Sequence, residues 1–317
     1  MKQRGTVIRS TGSWQEVRLD DGRVVLCKVK GTMRLMGLRC TNPVAVGDVV
    51  DVTLRPDDGT ALIAAVEPRR NYVIRRASNL SREFQIIGAN LDLALLVVSL
   101  SQPLTSTTFI DRFLATCEAY RVPAAIAINK ADLLHDEPDG DALLEAVATL
   151  YRTIGYRVTP TSTVTGEGID ELRALLSGKT TLLSGNSGVG KSSIINALVP
   201  GVELRVGRVS DAHNKGTHTT TFSEMIDLPG SGRVIDTPGV KGFGTIDFER
   251  AQVAHYVPEI FAASRGCRYG DCTHTHEPGC AVLDAVQHSL ISQSRYASYL
   301  SILEDTDGTG DKYRKPY

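Results

Sequence analysis

The stretch Gly-Asn-Ser-Gly-Val-Gly-Lys-Ser-Ser, residues 185–193, decides the fold of the central part of this chain. Two glycines separated by four residues and followed by Lys and Ser make the full phosphate-loop pattern. The apolar run at 180–184 predicts a buried strand before the loop, and 192–198 predicts a helix after it. In this setting backbone N–H groups surround the phosphates, Lys191 reaches the β- and γ-phosphates, and the Ser192 hydroxyl binds Mg²⁺. The predicted phosphate-binding residues are Gly185, Asn186, Ser187, Gly188, Val189, Gly190, Lys191 and Ser192.

A second motif, Asn129-Lys130-Ala131-Asp132, directly follows a predicted strand at 124–128. At the carboxyl end of a parallel strand this pattern reads a base, because Asp132 accepts hydrogen bonds from guanine N1–H and N2–H₂. Adenine would leave that carboxylate unsatisfied, so the motif favours GTP over ATP. We expect Asn129 and Lys130 to brace the loops and cover the base. The turn at Thr161 and Ser162 is the expected position of a second base contact, at guanine O6.

Two segments after the phosphate loop complete the predicted nucleotide site. The polar stretch 209–218 and the threonines that follow it predict a switch loop, in which Thr220 reaches Mg²⁺ and the γ-phosphate. A short strand then leads into Asp-Thr-Pro-Gly at 236–239, where Asp236 holds a Mg²⁺ water and the Gly239 N–H donates to the γ-phosphate. The predicted magnesium residues are therefore Ser192, Thr220 and Asp236.

The order of these motifs indicates a circular permutation. In ordinary GTPases the phosphate loop comes first, followed by the switch threonine, Asp-x-x-Gly and Asn-Lys-x-Asp. In this chain Asn-Lys-Ala-Asp comes before the phosphate loop and the other motifs. Permutation is tolerated where the original termini lie close together and the new cut falls at the surface. The cut falls after the second switch, so both flanking regions are attached near it.

His218 is the candidate catalytic residue. The residue after Gly239 is Val240, where Ras-like proteins carry the Gln that orients water. An imidazole beside the magnesium threonine is suited to position or accept a proton, although a simple loop hydrogen bond accounts for His218 equally well. We expect slow intrinsic turnover that a partner accelerates.

Cysteine and histidine near the C-terminus form a second candidate site, Cys267-x4-Cys272-x-His274-x5-Cys280. Three thiolates and one imidazole can close a tetrahedral Zn²⁺ site with no open position, so we expect a structural metal. His276 is an alternative ligand, and a catalytic zinc is an alternative role. The other three of the six cysteines are scattered singly, which argues against a disulfide framework.

The regions on either side of the GTPase motifs differ in charge and pattern. Residues 1–90 hold 15 Lys and Arg against 9 Asp and Glu, whereas the whole chain has a net charge of −1. Five short predicted strands before residue 68 suggest an OB-fold barrel, with an SH3-type barrel as the alternative. Its basic residues, with Trp14 nearby, suit a nucleic-acid face, although Trp14 is about equally suited to a core or hairpin position. Those basic residues are Lys28, Lys30, Arg34 and Arg39.

We therefore predict a multi-domain α/β protein. The expected units are an OB-fold barrel (1–68), a basic linker (69–90), a circularly permuted P-loop GTPase domain (91–245) and a zinc-binding helical domain (246–317). Within the last unit, the sequence predicts one helix over 281–305. The linker is either an RNA contact or a solvated connector. The first residues lack an apolar signal core, and the longest apolar run, 91–100, is too short to span a bilayer. We expect a cytoplasmic monomer without membrane contact.

The permuted motif order, the phosphate loop, His-Thr-Thr-Thr before Asp-Thr-Pro-Gly and the Cys/His spacing together resemble the RsgA family, bacterial GTPases dependent on the small ribosomal subunit. The resemblance covers nearly the whole chain. It implies GTP hydrolysis stimulated by the small subunit and its rRNA, and a late role in subunit maturation. By matched position it assigns the guanine motif to Asn129–Asp132, the switch pair to His218 and Thr220, and zinc to Cys267, Cys272, His274 and Cys280. Thr217 and Ala131 depart from the residues common in the family. The alternative function is an RNA-binding assembly module that uses GTP as a timer with negligible turnover.

Overall fold

The computed structural model describes residues 2–11, 13–31, 43–54, 61–76, 84–199, 201, 209–210, 215–216, 223–237 and 248–306. Most strands of this part of the chain join one mixed sheet of 11 strands, in the order β10-β9-β8-β11-β15-β14-β1-β2-β3-β5-β4. The strands are β1 (Lys2–Ser10), β2 (Gln15–Leu19), β3 (Val24–Val29), β4 (Val49–Leu54), β5 (Ala61–Val66), β6 (Tyr72–Arg76), β7 (Phe84–Ala89), β8 (Leu93–Val98), β9 (Ala124–Asn129), β10 (Arg157–Thr161), β11 (Thr180–Ser184), β12 (Val209–Ser210), β13 (Lys215–Gly216), β14 (Ser223–Asp227) and β15 (Arg233–Asp236).

Helices cover this sheet and build the C-terminal region. They are α1 (Thr107–Ala119), α2 (Ala131–His135), α3 (Gly140–Ile154), α4 (Ile169–Leu176), α5 (Lys191–Leu198), a 3₁₀ helix (Arg250–Tyr256), α6 (Pro258–Ser264), α7 (Ala281–Gln287) and α8 (Gln293–Thr306). Among the described residues, no helix is both long and apolar enough to cross a membrane.

The N-terminal strands close into a five-stranded barrel, as the sequence predicts. β1 pairs with both β2 and β4, and β3 pairs in parallel with β5, which closes the order β1-β2-β3-β5-β4 onto β1. This is the strand order of an OB-fold. Alternate residues of β2 point inward, and Val17, Val50 and Ile63 are fully buried inside the barrel. Trp14 is half-buried, and the Lys28 ammonium lies 4.4 Å from its ring centroid.

The central sheet has the architecture of a doubly wound α/β domain. Strands β10, β9, β8, β11 and β15 are parallel, and β14 is antiparallel to β15. β8 lies in the middle and every residue in it is buried, because helices cover both faces. One hydrophobic cluster includes α1 and α3 residues such as Phe113 and Tyr151, and the other includes α4 and α5 residues such as Leu172 and Ile194.

The barrel and the central sheet are continuous. β1 pairs with β14 through Arg9 opposite Glu224 and Ser10 opposite Ser223. Beside this junction, the Arg18 guanidinium of the barrel donates two hydrogen bonds, of 3.0 and 2.7 Å, to the Asp227 carboxylate of β14. The strand that follows the predicted switch threonine is therefore hydrogen-bonded directly to the barrel.

The described parts of the segment 69–90, residues 69–76 and 84–90, pack against the rest of the chain and are not merely a solvated connector. β6 and β7 pair in antiparallel fashion, and Val73 and Ile87 are buried in the same cluster as the central sheet. Arg69 is turned inward, where its guanidinium donates to both carboxylate oxygens of buried Asp48 at 2.7 Å. The Arg69 side chain therefore stabilises the barrel and is not presented at the surface to a partner.

One helix prediction in the C-terminal region is wrong. The sequence predicts a single helix over 281–305, but the structure has α7 and α8 separated by residues 288–292. The chain reverses there because Ser289 adopts the left-handed conformation, with φ of 58°. The break lets Tyr299 and Ile302 of α8 pack into a small core with Val282 of α7.

Candidate nucleotide site and metal centre

Among the described residues, the base-reading motif, the phosphate loop and Asp236 lie at one edge of the central sheet. The loops that leave β9, β10, β11 and β15 all start from the carboxyl ends of parallel strands, which meet at the same edge. The strand register places Thr161 beside Asn129 and Leu183 beside Asp236. The permuted order along the chain therefore does not separate the motifs in space.

The phosphate loop has the backbone that its glycines predict. Gly185 has φ of 146°, and a Cβ there would lie 2.2 Å from the Val97 carbonyl oxygen. Gly190 has φ of 98°, and α5 begins at the next residue. These positive φ values are open to glycine and costly for other residues. The loop is therefore followed at once by the amino end of a helix, where an anion is favoured.

Lys191 is folded back onto its own loop. Its ammonium donates to the carbonyl oxygens of Gly185 and Asn186, at 2.8 Å each. Burial lowers the pKa of Lys191 to about 8, although the nearby Asp236 carboxylate acts in the opposite direction. The cation is thus held at the place where the motif requires phosphate oxygens.

Asn129 joins the base-reading motif to the phosphate loop. Its side-chain amide donates to the Val189 carbonyl at 2.8 Å, and both groups are buried. The Thr161 hydroxyl donates to the Asn129 side-chain oxygen at 3.2 Å, so the loop after β10 is tied in as well. A Cβ on Gly190 would lie 2.2 Å from the Asn129 amide nitrogen. Three of the predicted segments therefore meet around one side chain.

The remaining residues of the base-reading loops are also at this edge. Lys130 has φ of 65°, its ammonium donates to the Gln102 carbonyl, and burial lowers its pKa. Ala131 is buried and Asp132 is half-buried in the first turn of α2. Ser162 is buried, and its N–H donates to the Glu167 carbonyl at 3.0 Å. Ser162 thus shapes the loop through its own backbone.

The predicted magnesium residues are only partly within the described residues. Asp236 ends β15, is 3% exposed and lies beside the phosphate-loop strand. Ser192 is half-buried in the first turn of α5. Thr220, His218 and Gly239 lie outside the described residues.

The four predicted metal ligands converge. The ligand atoms of Cys267, Cys272, His274 and Cys280 all lie within 4.8 Å of one another. The Sγ atoms of Cys267 and Cys280 are 3.8 Å apart, and each lies 3.5 Å from His274 Nδ1. Ideal tetrahedral Zn²⁺ with its usual bond lengths separates two sulfurs by about 3.8 Å and a sulfur from a nitrogen by about 3.6 Å. The residues present therefore fit a tetrahedral ion.

The local structure explains how the ligands are held. Cys280 caps α7, where its Sγ accepts from the Leu283 N–H at 3.5 Å. Burial lowers the pKa of His274, which keeps the imidazole neutral and able to bind a metal. His276 is exposed, and its Nδ1 lies 2.8 Å from the Thr275 hydroxyl. Of the two histidines that the sequence offers, the structure brings only His274 to the cysteines.

Comparison with known proteins agrees with this arrangement. The family model for the RsgA GTPase matches residues 66–246, and that for the RsgA N-terminal domain matches residues 4–63. A Bacteroides fragilis protein named small ribosomal subunit biogenesis GTPase RsgA is 56% identical over 314 residues, covering 99% of this chain and 100% of its own. This chain belongs to the RsgA family. A relative of the same name from Porphyromonas gingivalis is 56% identical over 318 residues, with 99% of each chain covered.

Two solved structures of similar proteins share the RsgA fold. YjeQ from Thermotoga maritima matches with a TM-score of 0.75 and 32% identity, covering 97% of this chain and 99% of its own. YloQ, described as a circularly permuted GTPase, matches with a TM-score of 0.71 and 28% identity, covering 100% of this chain and 97% of its own. The predicted OB-fold barrel and permuted GTPase domain are therefore confirmed, and the RsgA chain described here is a GTP hydrolase.

Sequence reasoning missed several residues that hold the site. Gln102 receives the Lys130 ammonium from a loop 28 residues away, and no motif marks it. Glu277 lies between two predicted metal ligands and accepts hydrogen bonds from the loop that carries them. The position of Glu277 between two predicted metal ligands could have indicated this role, because loops that carry metal ligands need hydrogen-bond partners for their backbone N–H groups.

Proposed function

We propose that this protein binds the small ribosomal subunit and hydrolyses GTP during late maturation of that subunit. The names of its relatives, small ribosomal subunit biogenesis GTPases, support the ribosomal part of the proposal. The hydrogen bond from Asn129 to the Val189 carbonyl supports the nucleotide part, because it joins the proposed base-reading motif to the proposed phosphate loop.

The roles proposed for the site residues follow from their places in the sequence motifs. Asp132 accepts from guanine N1–H and N2–H₂, while Asn129, Lys130, Ala131, Thr161 and Ser162 shape the base pocket. Backbone N–H groups of the phosphate loop and the Lys191 ammonium hold the β- and γ-phosphates. Ser192, Asp236 and Thr220 would hold Mg²⁺, which neutralises charge on the phosphate oxygens. Gly239 donates to the γ-phosphate, and His218 positions the attacking water.

The flanking regions supply contacts to rRNA and stability. The exposed Lys28 over Trp14 supports an RNA face on the barrel, which is the basic part of the chain. Cys267, Cys272, His274 and Cys280 would hold Zn²⁺, and four protein ligands leave no open position, so the metal is structural. We propose that the protein is a cytoplasmic monomer, as its ribosomal partner is cytoplasmic in bacteria. The proposed units remain 1–68, 91–245 and 246–317, joined by 69–90.

GTP hydrolysis with and without small ribosomal subunits tests the proposal. We expect slow turnover by the protein alone and a large increase with added subunits. His218→Ala should abolish most of the stimulated rate, whereas His288→Ala, which changes an exposed histidine at the end of α7, should not. No stimulation by subunits would favour the timer function, and equal rates for His218→Ala and wild type would remove His218 from the mechanism.

Binding to the subunit provides an independent test. We expect the protein to co-sediment with small subunits in the presence of a non-hydrolysable GTP analogue and to be released with GDP. Lys191→Ala, which lacks the phosphate-binding cation, should lose the difference between the two nucleotides. Equal co-sedimentation of wild type in both states would contradict nucleotide-controlled binding.

A further inference from the structure

The carboxylate of Glu277 receives four hydrogen bonds from the loop that carries the metal ligands. Its Oε1 accepts from the Thr273 N–H at 2.7 Å and the Thr273 hydroxyl at 2.5 Å. Its Oε2 accepts from the Thr275 N–H at 2.9 Å and the His276 N–H at 3.1 Å. These bonds hold the pKa of Glu277 well below its usual range, even though burial alone would raise it.

The hydrogen bonds to Glu277 hold a tight turn between Cys272 and His274. Cys272 and His274 are separated by a single residue, so both can reach one ion only if the backbone between them turns tightly. His274 adopts φ of 57°, a left-handed conformation that is unfavourable for a residue with a Cβ. Such a conformation persists only where the surroundings impose it. The N–H groups on both sides of His274 converge on Glu277 and impose it here.

The opposite side of the turn is held by α8. The Tyr296 hydroxyl donates to the His274 carbonyl at 2.7 Å, and the Tyr299 hydroxyl donates to the Thr273 carbonyl at 3.0 Å. The turn therefore has its N–H groups fixed by a carboxylate and its carbonyls fixed by two phenols. None of these contacts involves a ligand atom, so the turn does not depend on the metal for its hydrogen bonds.

We propose that Glu277 is a positioning residue for the metal centre, which forms the Cys272–His274 turn before the ion binds. This inference rests on the proposed Zn²⁺ site. A direct electrostatic role is a poor alternative, because Zn²⁺ with three thiolates already has a net charge of −1 and does not attract another anion. Glu277 acts through the hydrogen bonds, lowering the conformational cost of bringing the two ligands together.

The four hydrogen bonds indicate which substitution of Glu277 tests its role best. Three of the four partners of Glu277 are backbone N–H groups, which can only donate, and Glu277→Gln replaces one acceptor oxygen by an NH₂ group of nearly the same size. In its better orientation the NH₂ group faces Thr273, where the hydroxyl can turn to accept from it but the Thr273 N–H is left without an acceptor. Asp271→Asn is the matched control, because Asp271 is an exposed carboxylate next to Cys272 whose removal changes the charge equally.

Release of Zn²⁺ from the full-length protein to a chromogenic chelator tests this role. We expect Glu277→Gln to release the metal about 10- to 100-fold faster than wild type, the range usual for residues that orient metal ligands. Asp271→Asn should stay within about 2-fold. In metal-free protein, amide hydrogen exchange at residues 273–276 should be faster in Glu277→Gln, and the Co²⁺ form should show an altered ligand-field spectrum.

Equal release from Glu277→Gln and Asp271→Asn would overturn the role of Glu277. If Glu277→Gln retains no metal after purification, Tyr299→Phe gives a milder change at the same turn, and a release rate equal to wild type would overturn the proposal. Zinc analysis of the wild-type protein distinguishes failure of the role of Glu277 from failure of the proposed Zn²⁺ site. Absence of stoichiometric zinc there would remove the metal centre itself.

Discussion

In the proposed nucleotide site, the ionisation of Lys191 links nucleotide binding to pH at the scale of a single residue. In the free protein, burial lowers its pKa to about 8 while two carbonyls hold the ammonium. A bound triphosphate brings several negative charges to the same point and must raise that pKa. The bound state therefore holds a proton that the free state partly loses above pH 8.

The pKa difference of Lys191 between the free and bound states determines the direction in which GTP affinity changes with pH. Because the bound form has the higher pKa, GTP affinity is fully present below pH 8 and declines as pH rises above it. With a free-state pKa of about 8, we expect binding to take up about three-quarters of a proton at pH 8.5 and about one-tenth of a proton at pH 7.0. Calorimetry in buffers of different ionisation enthalpy measures this uptake. Lys191→Arg, whose side chain stays charged, should remove it, and an unchanged uptake in that variant would assign the proton to another group.

In the proposed nucleotide site, Asp132 determines the choice of base through the direction of its hydrogen bonds. Asp132→Asn presents an NH₂ group to the guanine 2-amino group, so a donor meets a donor and one buried bond is lost. Xanthine carries a carbonyl at that position and can accept from the amide instead. We expect GTP affinity to fall by at least about 100-fold and XTP affinity to rise. Competition binding with the two nucleotides measures both changes, and a variant that retains its GTP preference would contradict the role of Asp132.

At the scale of elements, two loops contact each other so closely that only glycine fits. Gly190→Ala adds a Cβ that would lie 2.2 Å from the Asn129 amide, in addition to backbone strain at φ of 98°. Gly155→Ala creates similar strain at φ of 111°, where the added Cβ meets no atom within 4 Å. Both variants should lose about 1 kcal/mol of stability from strain. We expect only Gly190→Ala to lose nucleotide affinity, and equal affinities would show that contact between the loops is unimportant.

The sequence predicts elements whose signals are local and misses those set by distant partners. The loop glycines and the apolar run before them define β11 and α5 almost to the residue. β6 and β7 were not predicted, because a short segment flanked by arginines carries no local sign that Val73 and Ile87 enter the central core. The break after α7 was missed since Ser289 takes a left-handed conformation without a glycine to mark it. Pairing of β1 with β14 joins residues more than 200 positions apart, which no local pattern records.

At the scale of the whole molecule, Arg295 joins the C-terminal region to the GTPase sheet. It is 2% exposed, donates to the Asp111 carboxylate of α1 at 2.7 Å, and forms two bonds to Glu259 of α6 at 2.6 and 3.0 Å. The Tyr151 hydroxyl of α3 also donates to Asp111, at 2.8 Å. One guanidinium thus fixes four helices around a buried charge, and α8, which carries it, also bonds the metal-ligand turn.

Replacing this arginine should affect stability far more than replacing a surface arginine. Arg295→Met leaves two carboxylates buried without a cation, which costs about 3 to 5 kcal/mol. Arg173→Met, at an exposed pair with Asp170, should cost less than about 1 kcal/mol. Chemical denaturation measures both differences. Burial already raises the pKa of Asp111, and without Arg295 it must rise further, so the folded variant binds more protons than the unfolded chain. The loss of stability in Arg295→Met should therefore grow as pH rises from 5 to 8. Adding Asp111→Asn and Glu259→Gln to this variant should recover part of the lost stability. A small, pH-independent loss would mean that the buried charges do not hold the two regions together.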